Sequence, residues 1–274
     1  MKRRIAFGSQ LAVLGMIAII LIYPLFIVGS TSLKTNNEFY KNRVGLPIEP
    51  QFDNYAYVFQ KANIASATFN SFLIMAISVI GLLVIGSLAS YAITKMGIKR
   101  SDDWARMFLL PMAFSAQVVI TPLFTMFRVM GLMNSIWAVI LIDIATFLPL
   151  TIYILSKFMM TVPGALSEAA RIDGANHLTV YSRIIMPLCK VPVTTLVVIN
   201  GMYVWNDFFV PFMFISDPSR RTLPLTLVLF QQQFKVEWPD LCAAIIFTIA
   251  PMLIMYAFLQ KYIIAGVGAG ALKG

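Results

Sequence analysis

The strongest constraint on this chain is where its charges are missing. No charged residue lies between Arg4 and Lys34, Lys61 and Lys95, Arg106 and Arg128, or Asp240 and Lys261. Two further apolar runs, 129–156 and 191–215, each carry one acid, Asp143 and Asp207. A helix needs about 20 apolar residues to cross a bilayer, and each run is long enough. Six spans follow, and the fold class is an all-α integral membrane protein. The composition agrees: 59% of the 274 residues are apolar and 12% are charged, which is too apolar for a soluble domain.

The net charge of +9 is explained by lysines and arginines at the membrane edge and does not point to nucleic acid. With six spans, both termini lie on one side. With the N-terminus inside, thirteen of the 21 lysines and arginines fall on inner segments and eight on outer ones. The bias puts both termini in the cytoplasm. Lys2-Arg3-Arg4 opens like a signal peptide. The apolar run continues past a signal core of about 7–15 residues and lacks a small-x-small exit. The first span is therefore expected uncleaved over 10–32, kinked at Pro24.

Chemistry of the catalytic kind is poorly represented. The only histidine is His177, and there is no metal-ligand spacing and no nucleophile motif. Cys189 and Cys242 are expected at opposite ends of their spans, about 30 Å apart, beyond disulfide reach.

One polar stretch interrupts the apolar pattern, residues 161–190 between the fourth and fifth spans. Pro163 suits a first helical turn, Gly174 a left-handed helix end, and Asn176 the cap of a second helix. That second helix has Leu178, Tyr181, Ile184, Ile185 and Leu188 on one face, with Thr179, Ser182 and Arg183 on the other. A short amphipathic pair between two spans sits at the membrane surface with one face free for a partner.

The run Glu168-Ala169-Ala170-Arg171-Ile172-Asp173-Gly174-Ala175, followed by Arg183-Ile184-Ile185-Met186-Pro187-Leu188, resembles the signature loop of permease subunits of bacterial ATP-binding-cassette importers. The resemblance covers about residues 68–274. It implies a type I importer permease fold: six transmembrane helices with a cytoplasmic coupling-helix loop. It implies three parts: a first helix and outer loop over 1–67, a five-helix core over 68–262 containing the loop, and a cytoplasmic tail over 263–274. In that family the loop docks into a cleft on a separate ATPase. Glu168, Ala169, Ala170, Asp173, Gly174, Arg183 and Pro187 are the matching positions. Without that role, Glu168 would pair locally with Arg171, worth about 0.2–0.5 kcal/mol.

Other segments add to the resemblance. Asn70 resembles the residue that opens the family core. Trp205-Asn206-Asp207-Phe208-Phe209, with Thr222-Leu223-Pro224 after it, resembles the sugar-importing branch, of the maltose type. By that resemblance the outer loop residues Gln231, Gln232, Gln233, Phe234 and Trp238 contact a binding protein. The tail, marked by Gly266, Gly270 and Lys273, contacts the ATPase pair. The tail is not a phosphate loop: Gly274, not Ser or Thr, follows Lys273, and the glycine spacing is wrong. No cofactor is expected on this chain; ATP and Mg belong to the partner ATPase subunits. The implied partners are a second permease, two ATPase subunits, an extracellular or periplasmic binding protein and the lipid of the bacterial cytoplasmic membrane.

Polar groups inside spans are costly and usually face a bundle interior or cavity. Asp143, Asn200, Asn206 and Asp207 are thus candidates for a solute pathway, since Asn and Asp hydrogen-bond hydroxyls well. Asp143 could equally pair with a polar group on the second permease. Pro111 and Pro122 in the third span free carbonyls that must face protein or water. Over 33–65 an aromatic outer loop either anchors at the interface or meets an extracellular partner. Two rivals remain: an importer of the same type for a polyol, glycerol phosphate or amino acid, and an ion-coupled carrier. The carrier predicts inverted repeats and paired acids and bases; the sequence has no clear repeat and no basic partner for either acid.

Overall fold

The computed structural model describes residues 2–114, 116–231 and 236–271. The order is α1 (Lys2–Ser32), α2 (Asn36–Lys41), α3 (Asp53–Lys61), α4 (Ile64–Lys95), α5 (Ser101–Met107), α6 (Ala116–Val129), α7 (Ile136–Thr161), α8 (Gly164–Ile172), α9 (His177–Val180), α10 (Met186–Leu188), α11 (Lys190–Asn206), α12 (Phe209–Phe214) and α13 (Trp238–Ala271). Among the described residues, β pairing is limited to one bridge, Gln231 with Val236.

Among the described residues, four stretches are long and apolar enough to span a membrane as single helices: Val13–Ser32, Ile64–Lys95, Ile136–Thr161 and Trp238–Phe258. Two more are bent pairs, Ser101–Ala113 with Val118–Val129 at 88° and His177–Leu188 with Lys190–Asn206 at 76°. Counted as one span each, they make six. The second span begins at Ile64, where Ile64 to Thr68 continue the uncharged helical run. The third is not a simple kinked helix. A 3₁₀ turn at Leu110–Ala113 with Pro111 in its first turn interrupts it, since proline cannot donate to an α-helical ladder.

The fifth span also ends sooner than expected. α11 stops at Asn206 and α12 starts at Phe209. The cause is Asp207, whose Oδ1 accepts from the N–H groups of Phe209 at 3.0 Å and Val210 at 3.3 Å. A side chain that captures the next turn's donors competes with helix continuation.

The chain divides into two compact units. One contains Met1–Ala67 with Leu223–Pro251, the other Thr68–Thr222 with Met252–Gly274. In the first, a 3₁₀ helix over Pro224–Phe230 buries Pro224, Leu225, Thr226 and Phe230. Phe247 sits against Tyr55 and Phe59 at 5.8 and 5.9 Å, and Lys61 bridges to Glu237 at 3.1 Å.

In the second unit, α7 is central. It buries Ala138, Val139, Ile140, Ile142, Ile152, Leu155 and Met159. Small residues let neighbours approach: a Cβ at Gly81 or Gly86 would collide with Ile144 or Thr151 of α7 at 2.6 and 2.7 Å. Asn70 Nδ2 donates to the carbonyls of Ser219 and Arg221 at 2.9 and 3.1 Å, so the residue singled out as the opening of the core fastens a distant loop. Cys189 and Cys242 are both free and buried.

Candidate functional site

The site is built from Val162 to Leu188. Pro163 occupies the cap position before α8 rather than its first turn, with φ −57° and ψ 132°. At the other end Gly174 has φ +84°. The Gly174 N–H donates to Arg171 O at 3.0 Å and the Ala175 N–H to Ala170 O at 2.9 Å. These two bonds, over a left-handed residue, define a Schellman ending. Asn176 Oδ1 then accepts from the Thr179 N–H at 2.8 Å and caps α9.

The segment after the cap is not one regular helix. α9 gives way to a π-helical turn over Tyr181–Ile185 before α10. The extra residue in that turn shifts the apolar face. Ile185, expected on the apolar face, is fully buried, as is Val180, not expected there, while Leu178 and Leu188, expected beside Ile185, are 67% and 47% exposed. Val180, Ile185 and Cys189 enter one core with Tyr91, Leu155, Met159, Val162 and Leu196.

Polar contacts fix the loop to the end of α4. Tyr181 Oη and Ser87 Oγ are 2.7 Å apart. Lys95 Nζ donates to Val162 O at 2.6 Å. The Tyr91 hydroxyl is 3.3 Å from His177 Nδ1, and its ring meets Tyr181 edge-on at 5.5 Å. The Arg171 guanidinium lies 2.8 Å from His177 Nε2. Arg171 is therefore engaged with His177, and no ion pair with Glu168 occurs among the described residues. Ser87, Tyr91, Lys95 and Tyr181 as a clamp were not singled out from the sequence. The available signal was hydroxyl-bearing residues on two apolar faces, where a buried Tyr needs a partner.

The opposite side of the loop is open. Glu168, Ala169, Asp173, Gly174, Arg183 and Pro187 are exposed and Ala170 is half-buried. Leu166, Ile172 and Leu178 add exposed apolar surface, Ile172 at 87%. The clamped inner face thus leaves an outer face on which acidic, basic and apolar side chains are mixed.

The four intramembrane polar candidates do not form one cluster. Asn200 is fully buried and donates to Thr151 Oγ1 at 3.0 Å, leaving its Oδ1 unpaired. Asn206 is exposed and bonds its own helix at Met202 O. Asp143 is buried on α7 with Oδ2 unpaired, and Asp207 also has an unpaired Oδ2. A cavity of about 570 Å³ lies between the Pro111 turn, α6 and α7. Its wall is apolar apart from Thr146, which suits lipid or an apolar helix face better than a hydroxylated solute.

Of the outer-loop candidates, Gln231 is exposed and Trp238 stacks on Phe39 at 5.6 Å. Gln232, Gln233 and Phe234 lie outside the described residues, as does Lys273 of the tail. Gly266 and Gly270 fall within α13, which continues as a helix to Ala271. Asn134, not anticipated, has φ +57° and receives the N–H groups of Ser216 and Asp217 on its Oδ1 at 3.1 and 2.8 Å. Among the described residues no group of His, Cys, Asp and Glu is placed to hold a metal.

Apolar helices long enough to span a membrane, two of them bent, and a clamped helical loop with an exposed outer face define a multi-span membrane protein. Residues 10–268 match the family of binding-protein-dependent transport system inner membrane components. The chain is 30% identical over 252 residues to a melibiose/raffinose/stachyose import permease of Bacillus subtilis (strain 168), covering 92% of this chain and 91% of the relative. It is 30% identical over 254 residues to a sulfoquinovosyl glycerol transport system permease of Agrobacterium fabrum, covering 92% and 89%. A solved bacterial ABC transporter that imports alginate has the same fold, with a TM-score of 0.81 at 22% identity over 96% of this chain and 98% of that one. The chain belongs to the binding-protein-dependent transport system inner membrane component family: it is a permease subunit.

Proposed function

We propose that this permease is one of two that together form the translocation path of an ATP-driven sugar or oligosaccharide importer in the bacterial cytoplasmic membrane. The observation that carries the reading is the loop at 161–190. It is held rigidly on α4 by Tyr181 and Lys95 and presents Glu168, Ile172 and Asp173 outward. A rigid lever fits the transmission of force from a partner; a solvated linker would not need such a clamp. Relatives named for raffinose-type and sulfosugar transport support the solute class.

In this reading both termini and the loop are cytoplasmic. Two ATPase subunits, holding ATP and Mg, receive the loop through Glu168, Ala169, Ala170, Asp173 and Gly174, with Arg183 and Pro187 at its exit. The tail at Gly266, Gly270 and Lys273 touches the same subunits. An extracellular or periplasmic binding protein meets Gln231 to Phe234 and Trp238. ATP and loaded binding protein both favour the outward-open state, so each raises the population the other needs. Asp143, Asn200, Asn206 and Asp207 are the chain's polar contributions to the path, Asp143 and Asp207 each with an unpaired oxygen to offer a hydroxyl donor.

The test is co-purification of wild type and the double variant Glu168→Ala, Gly174→Trp with the candidate ATPase and permease partners, then ATP hydrolysis with and without binding protein. Wild type assembles and shows stimulated hydrolysis; the double variant loses assembly or stimulation. Transport by wild type alone, in vesicles without any ATPase, would overturn the reading in favour of an ion-coupled carrier.

A further inference from the structure

Between α2 and α3, residues 42–48 form a loop that is tightly held yet exposes three aliphatic side chains. Asn42 Oδ1 accepts from the Gly45 N–H at 2.8 Å, and Glu38 Oε1 accepts from the Ile48 N–H at 2.7 Å. Lys34, with no exposed surface, donates from Nζ to Asn42 O at 2.8 Å. Ser30 Oγ donates to Gly45 O at 2.6 Å. Gly45 lets the Asn42 amide close over the bend, since a Cβ there would come within 2.5 Å of that side chain and displace it. From this frame Val44, Leu46 and Ile48 project with 55%, 66% and 81% of their surface open. A loose loop could fold such side chains away; this one is built to show them.

Its level is set by α1. Val13–Ser32 is 20 residues of apolar helix, about 30 Å long and equal to the hydrocarbon thickness. Ser30, which holds Gly45, is two residues from the end of that helix, or about 3 Å along its axis. The loop therefore lies at the boundary between acyl chains and headgroups. Lys41 and Arg43 flank the aliphatic tip, are exposed, and make no ion pair among the described residues. Aliphatic side chains beside cations at that depth match the chemistry of an interface with anionic lipid.

We propose that the 42–48 loop is a membrane-surface anchor: Val44, Leu46 and Ile48 enter the interface of the leaflet where α1 ends, and Lys41 and Arg43 engage lipid phosphate. The anchor braces the first helix at that surface. It requires only that α1 spans the bilayer and is independent of the coupling reading.

Single cysteines at Leu46, Ile48 and Glu49, in a Cys189→Ala, Cys242→Ala background, carry a nitroxide spin label. The full chain is reconstituted in vesicles of phosphatidylethanolamine and phosphatidylglycerol. Collision with oxygen, which concentrates in lipid, should exceed collision with an aqueous nickel chelate at positions 46 and 48. In the Lys41→Gln, Arg43→Gln variant that excess should shrink in the anionic vesicles and stay unchanged in vesicles of phosphatidylcholine alone. The label at Glu49, beside the tip, reports whether the loop has folded. A nickel-dominated signal at 46 and 48 would overturn the anchor. So would shielding from both reagents that appears only with the second permease or the binding protein, since the surface would then be a protein contact.

Discussion

Gly174 gives the sharpest test of how the coupling loop works. Its φ of +84° is a conformation that costs an L-residue with a Cβ about 1–2 kcal/mol. A Cβ there would meet nothing within 4 Å, so Gly174→Ala isolates backbone strain from steric collision. The strain falls on the Schellman bonds Gly174–Arg171 and Ala175–Ala170, which set the angle between α8 and α9. About 1–2 kcal/mol corresponds to a factor of about 5–30 in the ratio of shaped to misshapen loop. Apparent affinity for the ATPase pair should fall by up to that factor in Gly174→Ala. Gly174→Asn should fall less, because Asn tolerates the left-handed region, and β-branched Gly174→Val should fall most. The assay is retention of ATPase subunits on the permease pair in nanodiscs across a concentration series, with binding-protein-stimulated hydrolysis as second readout. Equal behaviour of Gly, Ala, Asn and Val would refute the reasoning, because the turn would then not control the docking surface.

Other expectations follow from single contacts. Tyr181→Phe removes the hydrogen bond to Ser87 and should destabilise the loop by about 1 kcal/mol; Ser87→Ala should match it, and the double variant should add little, as read by thermal unfolding in detergent. Thr151→Val leaves the Asn200 amide without its acceptor and should cost about 1–3 kcal/mol, whereas Thr151→Val with Asn200→Leu should recover part of the loss. At Lys61, burial works to lower the ammonium pKa, but hydrogen bonds to Tyr57 and Glu237 outweigh it and raise it above 10.5. A raised folded-state value means this contribution is complete below pH 10.5 and lost as pH rises through the folded-state pKa. Glu237→Gln should reduce it, leaving the Tyr57 bond, with a change of about 0–1 kcal/mol, measured by a stability series from neutral to alkaline pH.

Two kinds of information are visible in such a sequence, and a third is not. Gaps between charges gave the spans because the bilayer penalises every unpaired charge regardless of tertiary context. Asn176 and Gly174 gave the loop's internal shape because caps and left-handed turns are settled within a few residues. What stayed hidden depends on residues meeting across long separations. Tyr181 sits on an apolar face by periodicity, yet its hydroxyl is spent on Ser87, 94 residues away. Asn134 looks like an ordinary turn residue, yet it receives the backbone of Ser216 and Asp217. Asp207 is the instructive case. By composition it is an acid inside a span, inviting a ligand; in the structure one oxygen ends α11 and starts α12, and only the other is unpaired. Asp143 has no such local duty. If either acid meets solute, removing Asp143 should disturb recognition without altering helix geometry, while removing Asp207 should disturb both. That separates the roles: uptake competition moves for each, but only Asp207→Ala, by removing the acceptor that holds the turn at Phe209, also lowers the thermal transition.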